Sequence, residues 1–136
     1  MSSNIASSLL FNGFSIDKMT YIRNYDFQND EEMDIDFGLS AEASMSEDRT
    51  HSMVVVNCKL FDEEFRDNTA PFYLDIDIRG FFNTESTDVE EFEFNALAIL
   101  LPYIRSIITS FTAQAGIPPI ILPPVNVYKV FNREPK

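Results

Sequence analysis

The chain has 136 residues, a length typical of one domain with a core of its own. Its 22 acidic and 10 basic residues give a formal net charge of −12 at pH 7, which argues against nucleic acid or an anionic membrane as a partner. Cys58 is the only cysteine and the start of the chain lacks the basic region of a signal peptide, so we expect a cytoplasmic protein without disulfides.

The first predicted strand is Phe14–Arg23, and we expect the polar, serine-rich residues 1–12 before it to be flexible. Both faces of this strand carry apolar residues, which is typical of a strand buried in part on two sides or lying at a subunit contact. An acidic connector, Asn24–Glu32, follows and contains the aromatic residues Tyr25 and Phe27. These two rings either fold back onto the core or line a groove.

Three further strands are predicted. Met33–Met45 alternates strictly between apolar and polar residues, which indicates one buried face and one acidic, solvated face. Ser52–Phe61 and Phe72–Phe82 follow, separated by the charged loop Asp62–Thr69, and Gly80 predicts a bulge or bend near the end of the last strand. Strands in hairpin succession, followed by helices, predict an α+β fold with a four-stranded antiparallel sheet covered by helices on one face.

A long amphipathic helix is predicted after the sheet, because apolar residues recur with helical spacing over 97–115. A second apolar set lies on another face of the helix: Ala96, Ile99 and Tyr103. One sheet covers only one side of such a helix, so we expect a second subunit to cover the other. The residues expected at this contact are those of the main apolar stripe: Leu97, Leu100, Leu101, Ile104 and Ile108.

Proline and glycine residues determine the predicted structure near the end of the chain. Pro102 lies inside the helix and predicts a kink, whereas Gly116 is placed to end the helix. The apolar, proline-rich run Ile117–Val125 must then be extended, since the residue before a proline disfavours helical geometry. Asn126 can cap a short last helix over Val127–Phe131.

The order of three segments in this region resembles the bacterial protein-export chaperone SecB family: LPYIR (Leu101–Arg105), AGIPP (Ala115–Pro119) and LPPVNVYKVF (Leu122–Phe131). The family has a similar FPYAR-like step, a G-F-P-like turn and an APVNFDALF-like closing segment. The resemblance implies a single SecB-like domain over 1–136, with a four-stranded antiparallel sheet, a long kinked helix and a short C-terminal helix. It also implies a cytosolic homotetramer, a dimer of dimers, that holds unfolded precursors and passes them to the translocase motor SecA.

Two binding surfaces are implied by the resemblance. The first is a client groove formed by the connector and the next strand, with its other wall near the proline step and the last helix: Tyr25, Phe27, Met33, Ile35, Phe37, Tyr103 and Phe131. The second is an acidic sheet face that in the family binds the basic, zinc-carrying tail of SecA: Asp17, Asp34, Asp36, Asp75 and Asp77. Lys18 and Arg23 add positive charge to the strand that should be acidic, so we expect weak or no binding of SecA.

No catalytic, metal or cofactor motif is recognisable. His51 is the single histidine, no Cys/His spacing suits zinc, and aspartates that alternate along strands do not converge as calcium ligands do. We therefore do not expect an enzyme. The resemblance implies an ATP-independent holdase chaperone, in which a strong negative charge keeps exposed apolar and aromatic surface soluble. Two alternatives remain: a dedicated chaperone of an antitoxin in a toxin–antitoxin system, and an oligomeric interaction protein without chaperone activity.

Overall fold

The computed structural model describes residues 9–27, 35–48, 50–85 and 88–131. In chain order the elements are β1 (Leu9–Arg23), β2 (Phe37–Ser44), β3 (Ser52–Leu60), α1 (Asp62–Arg66), β4 (Phe72–Thr84), α2 (Val89–Gln114) and α3 (Val127–Val130). The α+β prediction is confirmed: four strands form one antiparallel sheet, and a long helix with Pro102 inside it follows them.

The strand order in the sheet is β1-β4-β3-β2. The pairs β2–β3 and β3–β4 are consecutive hairpins, as predicted. β1, however, pairs with β4, so the connection between β1 and β2 passes from one edge of the sheet to the other. Hairpin succession is therefore wrong for the first strand, and both β1 and β2 are edge strands.

The core lies between one face of the sheet and α2. Every second residue of β3 and β4 is buried on this face, from Ser52 to Leu60 and from Phe72 to Thr84. Gly80 lets the helix approach, because a Cβ atom at this position would lie 2.8 Å from the Cδ2 atom of Leu100.

Three predicted boundaries are corrected by the structure. β1 begins at Leu9, so the first twelve residues are not wholly a flexible leader: Leu9 to Phe11 are paired with β4. The bulge expected at Gly80 lies in the paired strand, where β1 has one extra residue between Phe11 and Phe14 and Gly13 takes a φ of +106°. The predicted loop after β3 contains α1, whose first turn carries three acidic residues that suit the helix dipole.

Helix α2 ends before Gly116 as predicted, and it begins at Val89, ahead of the predicted apolar stripe. The Asp88 carboxylate caps the first turn by accepting hydrogen bonds from the amides of Glu90 and Glu91. Gly116 follows the helix with a φ of +83°, the left-handed conformation that glycine adopts without strain. By length and composition α2 could cross a membrane, a test that core helices also pass.

The residues expected at a subunit contact lie instead in the core of the single chain. Leu97, Leu100, Ile104 and Ile108 have no exposed surface, and Leu101 keeps only 8%. They pack on the sheet, so they cannot contact a second copy. The main apolar stripe of an amphipathic helix packs against the sheet of its own chain. The assignment of this stripe to a subunit contact is therefore wrong.

Candidate functional site

The connector after β1 forms a tight turn that displays Tyr25. The Asn24 amide donates to the Pro71 carbonyl at 2.9 Å, and the Asn24 side chain donates to Asn68 Oδ1 at 2.6 Å. Tyr25 is 82% exposed, and the Arg23 guanidinium lies 5.4 Å from the centre of its ring. The turn therefore holds the backbone in place and presents an aromatic ring to solvent, where a partner can reach it.

The other predicted groove residues near this turn are partly buried. Phe27 is half-buried, and its amide donates to the Asn24 carbonyl at 3.4 Å. Ile35 and Phe37 pack against the edge of the core, with Phe37 paired to Leu60 across β2 and β3. Met33 lies outside the described residues, so the groove floor is seen only from Ile35 onward.

The two residues predicted for the opposite wall are placed differently from one another. Phe131 packs against the core directly after α3, which lies beside β2 and α2. Tyr103 lies on the β1 side of α2, with its ring 5.0 Å from that of Phe14. Phe14 and Tyr25 are separated by most of β1, roughly 30 Å at about 3.3 Å per residue. Within one chain the structure therefore does not bring Tyr103 and Tyr25 together.

Tyr103 belongs to an aromatic cluster that sequence reasoning did not identify. Phe11 lies between Tyr103 and Phe82, with ring centres 5.5 and 5.4 Å away, and Phe82 contacts Phe92 at 5.7 Å. Phe11 falls in the stretch predicted to be flexible, and this is why the cluster was missed. Its signal in the sequence was the apolar run Leu9–Phe11 at the end of a serine-rich leader.

Three of the predicted acidic residues do share the outer face of the sheet, opposite α2. Asn57 donates to both Asp75 Oδ1 and Asp77 Oδ1, at 2.6 and 2.7 Å. Arg79 donates to Asp17 Oδ2 at 2.8 Å, and this hydrogen bond is the main cause of the lowered pKa of Asp17. Each of these carboxylates is thus already engaged by a neighbour on the sheet.

Of the two basic residues predicted to weaken this face, Lys18 lies beside an aspartate of it, whereas Arg23 is paired with Phe72 at the end of β1. Lys18 pairs with Asp77 across β1 and β4, and Lys59 pairs with Asp75 across β3 and β4. Asp36 lies apart, lining a surface pocket at the start of β2 with Phe37, Gly38, Lys59, Asp62 and Glu63. Asp34 is outside the described residues. The acidic face is therefore a network of mixed charge and not a continuous negative surface.

Cys58 and His51 do not form a nucleophile and base. Cys58 is buried on the helix side of β3, and burial raises the pKa of its thiol to about 12, which keeps it protonated at neutral pH. His51 is exposed in the turn before β3, where its Nδ1 atom lies 2.9 Å from the Thr50 hydroxyl. Over the parts of the chain that the structure covers, no group of three or more His, Cys, Asp and Glu side chains could hold a metal ion.

Comparison with known proteins supports one family throughout. The family model for the preprotein translocase subunit SecB matches residues 12–136. An uncharacterized protein of Methanocaldococcus jannaschii is 33% identical over 125 residues, covering 88% of this chain and 80% of that protein. The protein-export protein SecB of Caulobacter vibrioides is 25% identical, covering 82% of this chain and 75% of its own length.

A solved structure has the same fold. It is a SecB-like chaperone of Mycobacterium tuberculosis in complex with a peptide from the HigA1 antitoxin, with a TM-score of 0.60 and 13% identity, covering 88% of this chain and 91% of that one. The family match spans nearly the whole chain, and the strand order and long helix described above agree with it. This protein therefore belongs to the SecB family.

Proposed function

We propose that this protein is an ATP-independent holdase chaperone that binds extended segments of non-native polypeptides in the cytoplasm. The observation that carries the proposal is Tyr25, an aromatic ring that is 82% exposed on a turn fixed by hydrogen bonds. A ring held open to solvent on a fixed turn offers a partner an apolar face and a hydroxyl group. The family to which the chain belongs adds independent support.

The mode of action is binding without chemistry. Aromatic side chains bury a large area with little loss of conformational entropy, so a few of them can dominate the binding of a flexible chain. Tyr25, Phe27, Ile35 and Phe37 are the described residues of the proposed groove, and Phe131 lies beside β2 as a neighbour. A long client contacts several such sites and gains affinity by multivalency, while a net charge of −12 keeps the complex soluble.

The proposal is tested by suppression of aggregation. A denatured client is diluted into buffer without ATP, with and without an excess of this protein, and light scattering is followed. We expect scattering to fall in proportion to the chaperone added. Unchanged scattering at a severalfold excess would contradict the holdase function and favour an interaction protein without chaperone activity.

We propose further that the protein is a homotetramer, with the outward side of α2 in the subunit contact. Small or uncharged residues lie on this side at successive turns: Ala98, Pro102, Tyr103, Ser106, Ser110 and Ala113. The neighbouring Arg105 is turned toward the Pro123 carbonyl. An uncharged helix side is unusual on a protein with a net charge of −12. In a symmetric oligomer a second copy of the chain would cover this uncharged side of α2.

The identity of the client has two candidates. Export is favoured by the similarity to proteins named as protein-export SecB. A dedicated antitoxin client is favoured by the similarity in fold to a SecB-like chaperone that holds an antitoxin peptide. The mixed-charge network on the outer sheet face supports the second candidate, because a basic SecA tail would meet Lys18, Lys59 and Arg79 there.

A further inference from the structure

The extended segment after α2, Ile117–Val125, is attached to that helix at few points, and we call it the strap. Two of its side chains are buried, Ile117 and Leu122, whereas Ile121 between them is 74% exposed. Four of its nine residues are prolines, which have no amide hydrogen to donate. The strap therefore cannot be held by a strand ladder, and side chains of α2 hold it instead.

Two threonines of α2 bind both backbone groups of a single strap residue. The Thr109 hydroxyl donates to the Ile120 carbonyl at 2.7 Å, and the Ile120 amide donates to the Thr112 hydroxyl at 2.9 Å. Thr112 is fully buried, and its own hydroxyl hydrogen goes back into the helix, toward the Ile108 carbonyl at 2.8 Å. We call this pair of threonines the latch.

Outside the latch the polar attachment is weak, and the strap is held mainly by Ile117 and Leu122, which lie in the core. Arg105 Nη2 donates to the Pro123 carbonyl at 3.4 Å, which is a long hydrogen bond, and the buried Nε atom of Arg105 has no partner among the described residues. A segment joined to its neighbours by so few hydrogen bonds opens more readily than strands joined by continuous ladders. Its release would uncover the apolar surface on which Ile117 and Leu122 pack, which is a surface that an apolar client segment can cover.

The strap is also a polypeptide of the kind that a holdase binds. It is extended and apolar, it lies along a helix, and its backbone is recognised by hydroxyl groups that do not depend on the identity of the side chain. The site that it fills is apolar and offers a backbone one hydroxyl donor and one hydroxyl acceptor, which are the features that another extended apolar segment needs. The strap leads directly into α3 and Phe131, next to the proposed groove.

We propose that the strap is an internal occupant of the client site, and that the Thr109–Thr112 latch controls access by holding it closed. Resting on the holdase function proposed above, this inference names how the same site is regulated. An apparent dissociation constant equals the intrinsic value divided by the fraction of molecules in the competent state. Weakening the latch raises the open fraction and so lowers the apparent dissociation constant for a client.

The test uses Thr109→Val and Thr112→Val, which keep the shape of each side chain and remove its hydroxyl. Thr50→Val is the matched control, because Thr50 is exposed in the turn before β3, outside α2 and the strap, and loses the same hydroxyl group. We expect hydrogen exchange of the Ile120 amide to accelerate in the Thr112 variant. We also expect each latch variant to bind a labelled unfolded client about fivefold more tightly, the ratio for loss of one ordinary hydrogen bond.

The outcomes separate this inference from the holdase proposal. Wild type that binds client, with latch variants that open faster but bind no more tightly, would overturn the gate and leave the chaperone function standing. Unchanged exchange at Ile120 would overturn the latch itself. Wild type that binds no client would overturn both proposals. If Thr112→Val fails to fold, the half-buried Thr109 supplies the same test alone.

Discussion

At the scale of single residues, the exposed fraction of a side chain distinguishes proposed groove residues from core residues better than the residue type does. Tyr25 and Tyr103 are both aromatic and both exposed in part, at 82% and 41%. Tyr25 contacts only Arg23 among the described ring interactions, whereas Tyr103 packs on Phe11 and Phe14. The first is free to bind a client, and the second holds α2 against β1.

Replacing Tyr25 or Phe27 by aspartate should reduce client capture while leaving the fold intact. The exposed Tyr25 makes the clearer case, because a surface substitution usually changes the free energy of unfolding by less than about 0.5 kcal/mol. Half-buried Phe27 should show some loss of stability with the same loss of capture. Aggregation suppression and thermal melting measure the two effects.

Two controls accompany these variants. Tyr25→Phe keeps the ring and should hold clients as wild type does. Ser44→Asp adds the same negative charge at an exposed position of β2 and should change little. If Tyr25→Asp and Phe27→Asp both hold clients as well as wild type does, the groove is elsewhere.

At the scale of elements, the distance between α2 and the sheet is set by one glycine. Gly80 lies under Leu100, where a Cβ atom would meet both methyl groups at 2.8 and 2.9 Å and the Phe82 ring at 2.9 Å. All of these neighbours are fully buried, so they have little room to move. A larger residue here must push the helix outward.

Gly80→Ala should therefore destabilise the protein by about 1–3 kcal/mol, the range for overpacking a buried site. Gly38→Ala in β2 is the matched control, because a Cβ atom there meets nothing within 4 Å. Chemical denaturation measures both. Combining Gly80→Ala with Leu100→Ala should cost less than the sum of the two single changes, and simple additivity would contradict the proposed contact.

At the scale of the whole molecule, the single chain leaves one helix side uncovered. The sheet and the strap cover two sides of α2, while the side bearing Ala98, Ser106 and Ser110 remains exposed. Because Ala98, Ser106 and Ser110 are small and uncharged, a second copy can cover this part of the helix without desolvating a charge. A second copy related by symmetry is the simplest partner.

We expect light scattering at micromolar concentration to report a tetramer. Ser106→Arg should reduce the assembly to smaller species, since it places a charge in the middle of the exposed side of α2. The same substitution in an isolated chain would be harmless. A folded wild-type monomer of 15.6 kDa would contradict the tetramer.

Binding of a zinc-loaded SecA tail is expected to be weak or absent. Asp17, Asp75 and Asp77 are already engaged by Arg79 and Asn57. A basic peptide would have to compete with these neighbours and would also meet the positive charge of Lys18 and Lys59. Titration of the purified protein with the tail decides the matter, and submicromolar, salt-sensitive binding would restore the export role.

Local patterns in the sequence were enough for the fold class and for the C-terminal end of α2. The alternation predicted over Met33–Met45 is confirmed for Phe37–Ser44, and the helical spacing is confirmed up to Gly116, because both depend on each residue's near neighbours. Tertiary structure alone decided the strand order, because β1 pairs with a strand far along the chain and nothing local selects that partner.

The same difference between local and long-range information applies to the proposed groove residues and to the contacts of α2. Tyr25 is exposed whichever strand β1 pairs with, so its candidacy was readable from an aromatic residue in a polar connector. The main apolar stripe of α2 was readable from its helical spacing, but whether the sheet of the same chain or a second subunit covers that stripe was not. Only packing buried Leu97 and Ile104 and left Tyr103 half-open beside β1, because one sheet can cover only one side of a helix.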